Sequence, residues 1–359
     1  MGRRVLITGI SGQLAGLLAR ALEQHDDVEY LVGVDVREPS HDLRRTEFVR
    51  ADIRNPLVTR VMTATEVDTV VHAAVTATPS SAGGRARMKE QNVIGTMQLL
   101  AACQKAPSLR TLVVKSSTAA YGSDHTDPAL FTEDATPRVP PKGGFAKDVT
   151  EIEGYARSLG RRRKDVTVTI LRFSNFIGGS IDSLFTRYFS LPVCPTVLGF
   201  DPRLQFCHSD DAVAVLEAAA LRDHPGIFNV AGPGILYLSQ AIRKAGRIPA
   251  PVALPFVNLA GGLVRRTGRL DYSTEQLGFL QFGRVGDITK LRDVFGYQPR
   301  YSTREALEDH VARRRIRGLA PTEPRVEWDR DLYDFIQRKG QERFTAARAS
   351  GSERRGEDR

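Results

Sequence analysis

The sequence has few cysteines and no long apolar segment. Its three cysteines, Cys103, Cys194 and Cys207, are widely spaced, which disfavours a disulfide framework and a clustered metal site. No run of about 18 consecutive apolar residues is present, so no membrane-spanning helix is predicted. The first residues enter a strand pattern without the apolar core of a signal peptide. These absences predict a reduced cytoplasmic protein with no bound metal and no stable membrane span.

Interleaved aromatic residues, which are typical of nucleic-acid-binding surfaces, are also missing from the basic segments. The chain of 359 residues carries a formal net charge of +9, and much of the excess lies in residues 161–164, 313–317 and the C-terminal tail. Such an excess could attract nucleic acid, anionic lipid or an anionic small substrate. Without accompanying aromatic residues, we interpret these runs as solvated helix ends and tail. Neither DNA nor RNA binding is predicted.

What the sequence does contain is an alternation of short β-branched runs and longer helical patterns over its first 175 residues. This alternation predicts an α/β fold with a doubly wound parallel sheet of the Rossmann type and right-handed crossovers. Strands are predicted at 4–8, 30–35, 47–50, 69–72, 112–115 and 166–171, and helices at 13–24, 88–105 and 145–159. From about residue 175 the pattern breaks into stretches rich in proline and glycine, which predicts a smaller C-terminal substrate-capping region.

A glycine-rich turn follows the first predicted strand. Gly9 and Gly12 would let the backbone turn tightly and approach a pyrophosphate, whose charge would then meet the amides at a helix N-terminus. Ser11, Gln13 and Leu14 complete this turn and are predicted to contact the cofactor with it. The turn therefore predicts a dinucleotide site.

A carboxylate follows the turn at the spacing of a ribose contact. Asp35 closes the second predicted strand about twenty residues on, where it could accept hydrogen bonds from the adenosine ribose. The same carboxylate would repel a 2′-phosphate, so the sequence predicts NAD as the cofactor rather than NADP. Arg37 argues the other way, because a guanidinium at that position could bind a 2′-phosphate.

Further motifs follow along the chain in the order typical of one known family. With these motifs, the chain resembles the extended short-chain dehydrogenase/reductases of the NAD-dependent epimerase/dehydratase family. The resemblance extends from about residue 3 to residue 311. The family motif T-G-x-x-G-x-x-G is matched by Thr8, Gly9 and Gly12, with Ala15 in the last position. More narrowly, the chain resembles an actinobacterial branch of that family. The other matching segments are Asp52-Ile53, His72-Ala73-Ala74 and residues 91–96, 171–178, 206–211 and 291–299.

The resemblance implies several contacts and an assembly. Asp52 and Ile53 would contact the adenine, and Ala73 and Ala74 would line the cofactor. Family members form dimers through the helices after strands four and five, so a homodimer is expected.

The resemblance also implies the residues that carry the chemistry. The family uses a Tyr in Y-x-x-x-K as the acid/base, a Lys that holds the nicotinamide ribose, and a Ser or Thr that binds the substrate oxygen. Residues 113–122 resemble the strand-five signature, and the spacing to Tyr121 identifies Ser117 as that hydroxyl, unless Ser117 only caps a turn. Lys147 and Glu151 fit the K-x-x-x-E spacing that follows; Lys147 would clamp the ribose, or is an exposed helix lysine.

The tyrosine itself is missing. Gly143 stands four residues before Lys147, and residues 140–147 contain no phenol. A positioned general acid/base contributes about 10²–10⁴ in rate, so the proton must come from elsewhere or the step must differ. The stand-ins are Tyr121, which is expected beside the cofactor, Lys142, Tyr155, which is expected to face outward, and a water held by Ser117.

The residues expected to contact the substrate also depart from the family pattern. The resemblance implies that Asn175 lies at the substrate, and that an Arg before the F-x-H-x-D-D turn grips a substrate diphosphate. Leu204 occupies that position here, with Arg203 one residue earlier, from where it could still reach a diphosphate. The apolar residues 252–260 fit core or lid packing, but would also suit a hydrophobic substrate.

The chain is therefore predicted to be an NAD-dependent epimerase/dehydratase-type oxidoreductase acting on a nucleotide sugar or related hydroxylated small molecule. Two alternatives remain open, namely a dehydrogenase or isomerase of a sterol- or lipid-like alcohol, and a non-catalytic NAD-binding protein. The predicted organisation is an NAD-binding domain at 1–175, to which the chain returns at about 205–232 and 281–290, a substrate-binding region at 176–204 and 233–320, and a C-terminal extension at 321–359, disordered over 346–359.

Overall fold

The computed structural model describes residues 2–77, 84–141, 143–179, 181–254 and 274–319. Residues Met1–Val311 form one compact unit, and Ala312–Arg359 form a second. Predictions for residues 255–260, Lys142 and the tail from residue 320 onward, including 346–359, fall outside the described residues.

A parallel sheet of seven strands forms the centre of the first unit. Its strands are β1 (Arg3–Thr8), β2 (Val28–Asp35), β3 (Thr46–Arg50), β4 (Thr69–His72), β5 (Thr111–Ser117), β6 (Thr167–Phe173) and, later in the chain, β11 (Gly226–Val230). They lie in the order β11-β6-β5-β4-β1-β2-β3, and every neighbouring pair is parallel. The strand order reverses between β1 and β4, as in a Rossmann sheet. The prediction of a doubly wound parallel sheet is confirmed.

Helices cover both faces of this sheet. Leu14, Leu18 and Leu22 follow one another at four-residue spacing, so they share the buried side of the first helix. The first and seventh helices pack on one face, and the second, fourth and fifth pack on the other. The helices on the two faces are α1 (Gln13–Leu22), α2 (Leu57–Ala64), α4 (Gly95–Lys105), α5 (Gly144–Arg162) and α7 (Ser209–Leu221). Along the chain, α3 (Gly84–Lys89) precedes α4, and α6 (Leu184–Tyr188) follows the sixth strand.

The helix predicted at 88–105 contains a wider turn that the periodicity did not indicate. Residues Glu90–Ile94 form a π-turn between α3 and α4. The turn directs Asn92 toward the loop after β4, where its amide accepts a hydrogen bond from the Thr76 N–H at 3.0 Å and donates one to the Thr76 carbonyl at 2.9 Å. A Cβ on Gly95 would lie 2.8 Å from Ile53, so the helix approaches the segment after β3 closely only because residue 95 is glycine.

A smaller region with its own apolar core follows the sixth strand of the sheet. Aromatic side chains dominate this core, with Phe185 against Phe206 and Phe279 at ring distances of 5.4 and 5.6 Å. Its strands pair as β7 (Asn175–Ile177) with β10 (Phe206–His208), β8 (Val193–Val197) with β13 (Ile248–Val252), and β9 (Arg203–Leu204) with β12 (Leu236–Tyr237). Its helices are α6, α8 (Leu238–Lys244), α9 (Thr274–Phe282), α10 (Thr289–Asp293) and α11 (Thr303–Leu319).

The described residues contain neither a candidate membrane-spanning helix nor a candidate metal-binding group. No helix among them has both the length and the apolar character needed to cross a membrane. Nor do His, Cys, Asp and Glu side chains gather there in a group of three or more suited to a metal ion. Cys103, Cys194 and Cys207 are all free thiols and all buried.

Candidate active site

The glycine turn after β1 leaves bare backbone at the carboxyl edge of the sheet. Gly9 has φ +75°, and a Cβ there would lie 2.7 Å from the Ala74 Cα. Gly12 is the N-cap of α1 and provides no side-chain hydrogen bond to the helix. The first amides of an α-helix have no partner within the helix, so this end of α1 can bind an anion. Leu14, by contrast, is only 7% exposed and packs in the core.

Asp35 holds the glycine turn from the end of β2. Its Oδ2 accepts hydrogen bonds from the backbone N–H of Ser11 at 3.1 Å and from the Ser11 hydroxyl at 2.5 Å. Its Oδ1 accepts from the N–H of Val36 at 2.7 Å. The carboxylate therefore fixes the glycine turn, while Arg37 is exposed.

A cleft brings together five of the residues predicted to contact the cofactor. Gly9, Asp35, Asp52, Ile53 and Ala74 all line it. The sequence analysis missed three further polar residues of this cleft, namely Arg54, Arg87 and Gln91.

Arg54 engages one of the predicted adenine contacts. Its Nε and Nη2 bind the Asp52 carboxylate at 2.9 and 2.6 Å. These hydrogen bonds lower the pKa of Asp52, because the guanidinium stabilises the charged carboxylate. Asp52 therefore presents a fixed acceptor to the cleft.

A buried histidine aligns the end of β4 with the glycine turn. His72 lies between two hydroxyls, with its Nδ1 2.8 Å from the Thr8 Oγ1 and its Nε2 2.7 Å from the Thr96 Oγ1. Burial lowers the pKa of His72 to about 3, so the ring is neutral at physiological pH. The Ala74 N–H donates to the same Thr8 oxygen at 3.3 Å, which fixes Ala73 and Ala74 beside Gly9.

Ser117 ends β5 at the same carboxyl edge. Its Oγ accepts a hydrogen bond from the Ala119 N–H at 3.1 Å and so caps the short 3₁₀ helix Thr118–Tyr121. The Ser117 hydroxyl keeps its own proton, which it can still donate. Ser117 therefore caps a turn through its oxygen and keeps its O–H as a donor.

A buried charge network, which the sequence analysis did not identify, anchors the end of β5. The Ser116 hydroxyl donates to Glu153 of α5 at 2.5 Å, and the Arg172 guanidinium of β6 binds the two oxygens of that carboxylate at 2.9 and 2.8 Å. The side chains of Arg172 and Glu153 are 7% and 2% exposed. The network joins β5, β6 and α5 directly beneath Ser117.

Tyr121 belongs to this network and is not placed as an acid/base. It is 1% exposed, its hydroxyl donates to the Asn229 Oδ1 at 2.7 Å, and its ring stacks on Phe131 at 4.5 Å. Burial raises the pKa of Tyr121. Tyr155, expected to face outward, is instead half-buried and packs against the core, because α5 buries this part of its surface. Neither phenol is therefore presented as a replacement for the missing tyrosine.

Gly143 is the N-cap of α5, the helix that packs against the turn after Ser117. Its φ is −170°, an extended conformation that any residue adopts, and no described residue beyond its chain neighbours has an atom within 4 Å of where its Cβ would be. Lys147 lies one turn along the helix and is exposed. The position of the family tyrosine is therefore open space beside an accessible lysine.

Two of the predicted substrate residues, Asn175 and Arg203, lie in the smaller region. Arg203 and Arg284 line a cavity of about 120 Å³, together with Asp124, Asp127 and His125. Asn175 is half-buried in β7, opposite Phe206 of β10.

Gln13 was predicted to contact the cofactor. In the structure its side chain forms a hydrogen bond with the smaller region. Its side-chain oxygen accepts a hydrogen bond from the Asp182 N–H at 2.6 Å. This contact links the start of α1 to the segment after β7.

Comparison with known proteins identifies related sequences and folds. The model of the NAD dependent epimerase/dehydratase family matches residues 5–231. A Mycobacterium tuberculosis protein described as uncharacterized is 48% identical over 321 residues, which cover 88% of this chain and 85% of that protein.

Solved structures with low sequence identity share the fold. UDP-glucuronic acid 4-epimerase from Bacillus cereus, in complex with UDP-glucuronic acid and NAD, is 19% identical with a TM-score of 0.67, covering 88% of this chain and 100% of that one. A dTDP-glucose 4,6-dehydratase from Streptomyces venezuelae with NAD bound is 22% identical with a TM-score of 0.66, covering 88% and 98%.

Proposed function

The chain belongs to the NAD dependent epimerase/dehydratase family, and from this we propose that it binds NAD at the carboxyl edge of its sheet and exchanges hydride with a nucleotide sugar. The observation that carries this proposal is the cleft that joins Gly9, Asp35, Asp52 and Ala74. Ser117 ends a neighbouring strand at the same edge. Cofactor-binding and chemical residues therefore share one edge of the sheet.

The residues of the cleft fit a dinucleotide. Gly9 and Gly12 leave the turn bare, so a pyrophosphate could approach the open N-terminus of α1. Asp35 and Asp52 supply acceptors for the ribose and adenine. When bound, NAD would accept or return the hydride. Ser117 would donate a hydrogen bond to the substrate oxygen, and Lys147 would face the nicotinamide ribose.

Two observations support a nucleotide sugar as the substrate class. Arg203 and Arg284 line one cavity, where two guanidinium groups suit an anionic diphosphate despite the neighbouring carboxylates of Asp124 and Asp127. The fold is shared with an epimerase solved with UDP-glucuronic acid and NAD.

A specific observation favours a second candidate function. Gly143 leaves the acid/base position empty, and Tyr121 is held in the buried network. A chain that has lost this group could still bind NAD without turning over a substrate. This candidate is a non-catalytic NAD-binding protein.

Absorbance at 340 nm separates the two candidates. NAD-loaded protein would be mixed with UDP-glucose, UDP-glucuronic acid or dTDP-glucose, and products would be followed by chromatography. Partial reduction of bound NAD, or formation of an epimer or a 4-keto product, supports the enzyme. Binding of NAD with no reduction and no product with any of the three sugars supports the non-catalytic protein.

Ser117→Ala is expected to lower the rate of hydride exchange about 100-fold and to leave NAD affinity within about threefold of the wild type. The substitution removes a donor aimed at the developing charge on the substrate oxygen. The measurement is the single-turnover rate at 340 nm. Ser108→Ala is the matched control, because the Ser108 hydroxyl also donates one hydrogen bond, to the Val67 carbonyl at 2.8 Å, but lies before β5 at the opposite edge. Equal rates in Ser117→Ala and Ser108→Ala would contradict the role of Ser117.

Gly9→Ala is expected to weaken NAD binding at least about tenfold. The added Cβ meets the Ala74 backbone at 2.7 Å, and the backbone at φ +75° is strained for any residue with a side chain. The measurement is a calorimetric titration with NAD. Gly154→Ala is the control, since Gly154 lies within α5 with no atom within 4 Å of the added Cβ. Equal NAD affinity in Gly9→Ala and Gly154→Ala would show that the glycine turn does not bind the cofactor.

A further inference from the structure

One lysine of the central sheet has no place in the chemistry described above. Lys115 lies on β5, between β4 and β6, in a strand whose first four residues are buried. Along this strand only Lys115 and Ser117 retain partial exposure. Helices cover both faces of the sheet, and both residues lie in the last three positions of β5, next to its carboxyl end.

The face on which Lys115 lies follows from the alternation of side chains along a strand. Val113 packs in the core beneath α1 and α7, whereas Val114 packs in the core beneath α4 and α5. Ser116, which binds Glu153 of α5, continues the second face. Lys115 and Ser117 therefore share the first face, on which the open N-terminus of α1 also lies.

The ammonium of Lys115 carries an uncompensated charge. No described carboxylate forms an ion pair with it, and burial lowers the pKa of Lys115 to about 8. Burying a cation without a partner is unfavourable, so a second positive charge brought beside Lys115 would add to that cost.

The topology indicates which part of the dinucleotide passes this lysine. A Rossmann sheet binds the two halves of a dinucleotide on either side of the point where the strand order reverses, which here lies between β1 and β4. The glycine turn, Asp35 and Asp52 take the adenosine half above β1 and β2. The nicotinamide half then extends over β4 and β5, where Lys115 and Ser117 lie within about 7 Å of each other along the strand.

We propose that Lys115 contacts the nicotinamide half of the cofactor and places a positive charge beside the ring, so that the site binds NADH more tightly than NAD⁺. This inference rests on the proposed function. The ring of NAD⁺ is positively charged and that of NADH is neutral, so a neighbouring ammonium disfavours only the oxidised form. The site would therefore hold the reduced cofactor after hydride leaves the substrate.

The test is the ratio of the two dissociation constants, Kd for NAD⁺ over Kd for NADH, measured by calorimetry on the full chain. We expect Lys115→Met and Lys115→Gln to lower this ratio at least about tenfold, because either substitution removes the repulsion between the ammonium and the charged ring. Two neutral variants of different shape are used so that misfolding of one leaves the other, and thermal unfolding checks both. Lys105→Met, at the exposed C-terminal end of α4, is the control.

The possible results are distinct. A ratio that falls in both Lys115 variants and stays unchanged in Lys105→Met supports the inference. An unchanged ratio overturns it, and so does an equal loss of affinity for both nucleotides, because that pattern places the charge at the pyrophosphate. A wild-type chain that binds neither nucleotide overturns the proposed function and this inference together.

Discussion

Gly143→Tyr is expected to raise turnover of a nucleotide sugar by about 10²–10⁴ relative to the wild type, the contribution of one positioned acid/base. Gly143 is the N-cap of α5, four residues before Lys147, and no described residue beyond its chain neighbours has an atom within 4 Å of the position of its Cβ. Its extended φ of −170° admits tyrosine without backbone strain. The new phenol would stand at the edge that carries Ser117. The measurement is steady-state turnover with NAD-loaded protein.

Gly143→Phe is the matched control for this gain, since it adds the same ring without the proton. A gain with tyrosine and none with phenylalanine shows that the wild-type site lacks only its proton carrier. If Gly143→Tyr binds NAD and folds normally but turns over no faster than the wild type, the idea that this one group is missing is wrong.

Glu153→Ala is expected to lower the free energy of unfolding by about 3–5 kcal/mol, the cost of leaving one member of a buried ion pair alone. The Arg172 side chain is 7% exposed and binds Glu153 through two hydrogen bonds, so the variant buries an uncompensated guanidinium. Ser116 loses its acceptor in the same step. Urea unfolding followed by circular dichroism measures the change.

Glu29→Ala provides the comparison for an exposed ion pair. Glu29 pairs with Arg4 at 2.9 Å, but its side chain is 49% exposed, so we expect a loss of no more than about 1 kcal/mol. Replacing both Glu153 and Arg172 with Met should restore much of the stability lost in Glu153→Ala, because neither charge is then left buried. Equal destabilisation by Glu153→Ala and Glu29→Ala would contradict the account of the network.

The sequence was sufficient to predict those parts of the site that depend on local backbone and fixed spacing. The positive φ of residue 9 and the close approach of Ala74 both require a glycine at this position, and a glycine can be recognised directly in the sequence. Asp35 ends a strand whose central residues 31–34 form a short apolar run, so its place at the carboxyl edge followed from the fold class. The parallel sheet could be predicted for the same reason, since most of its strands contain such a run.

Contacts between distant residues could not be predicted in this way. Tyr121 was a candidate for the missing acid/base until its partner Asn229, 108 residues away, was known. Gln13 fits a cofactor-binding turn, yet it bonds to Asp182, 169 residues along the chain. Such partners depend on how the smaller region packs on the sheet, and spacing within one motif carries no information about that packing.

The central claim is that this chain binds NAD across the carboxyl edge of its sheet. A crystal structure of the full chain grown with NAD tests it most directly. We predict the pyrophosphate about 3 Å from the amides that open α1, the adenosine ribose at Asp35, and the nicotinamide between Lys115 and Ser117. NAD bound elsewhere, or saturating NAD that leaves this cleft empty, would contradict the claim.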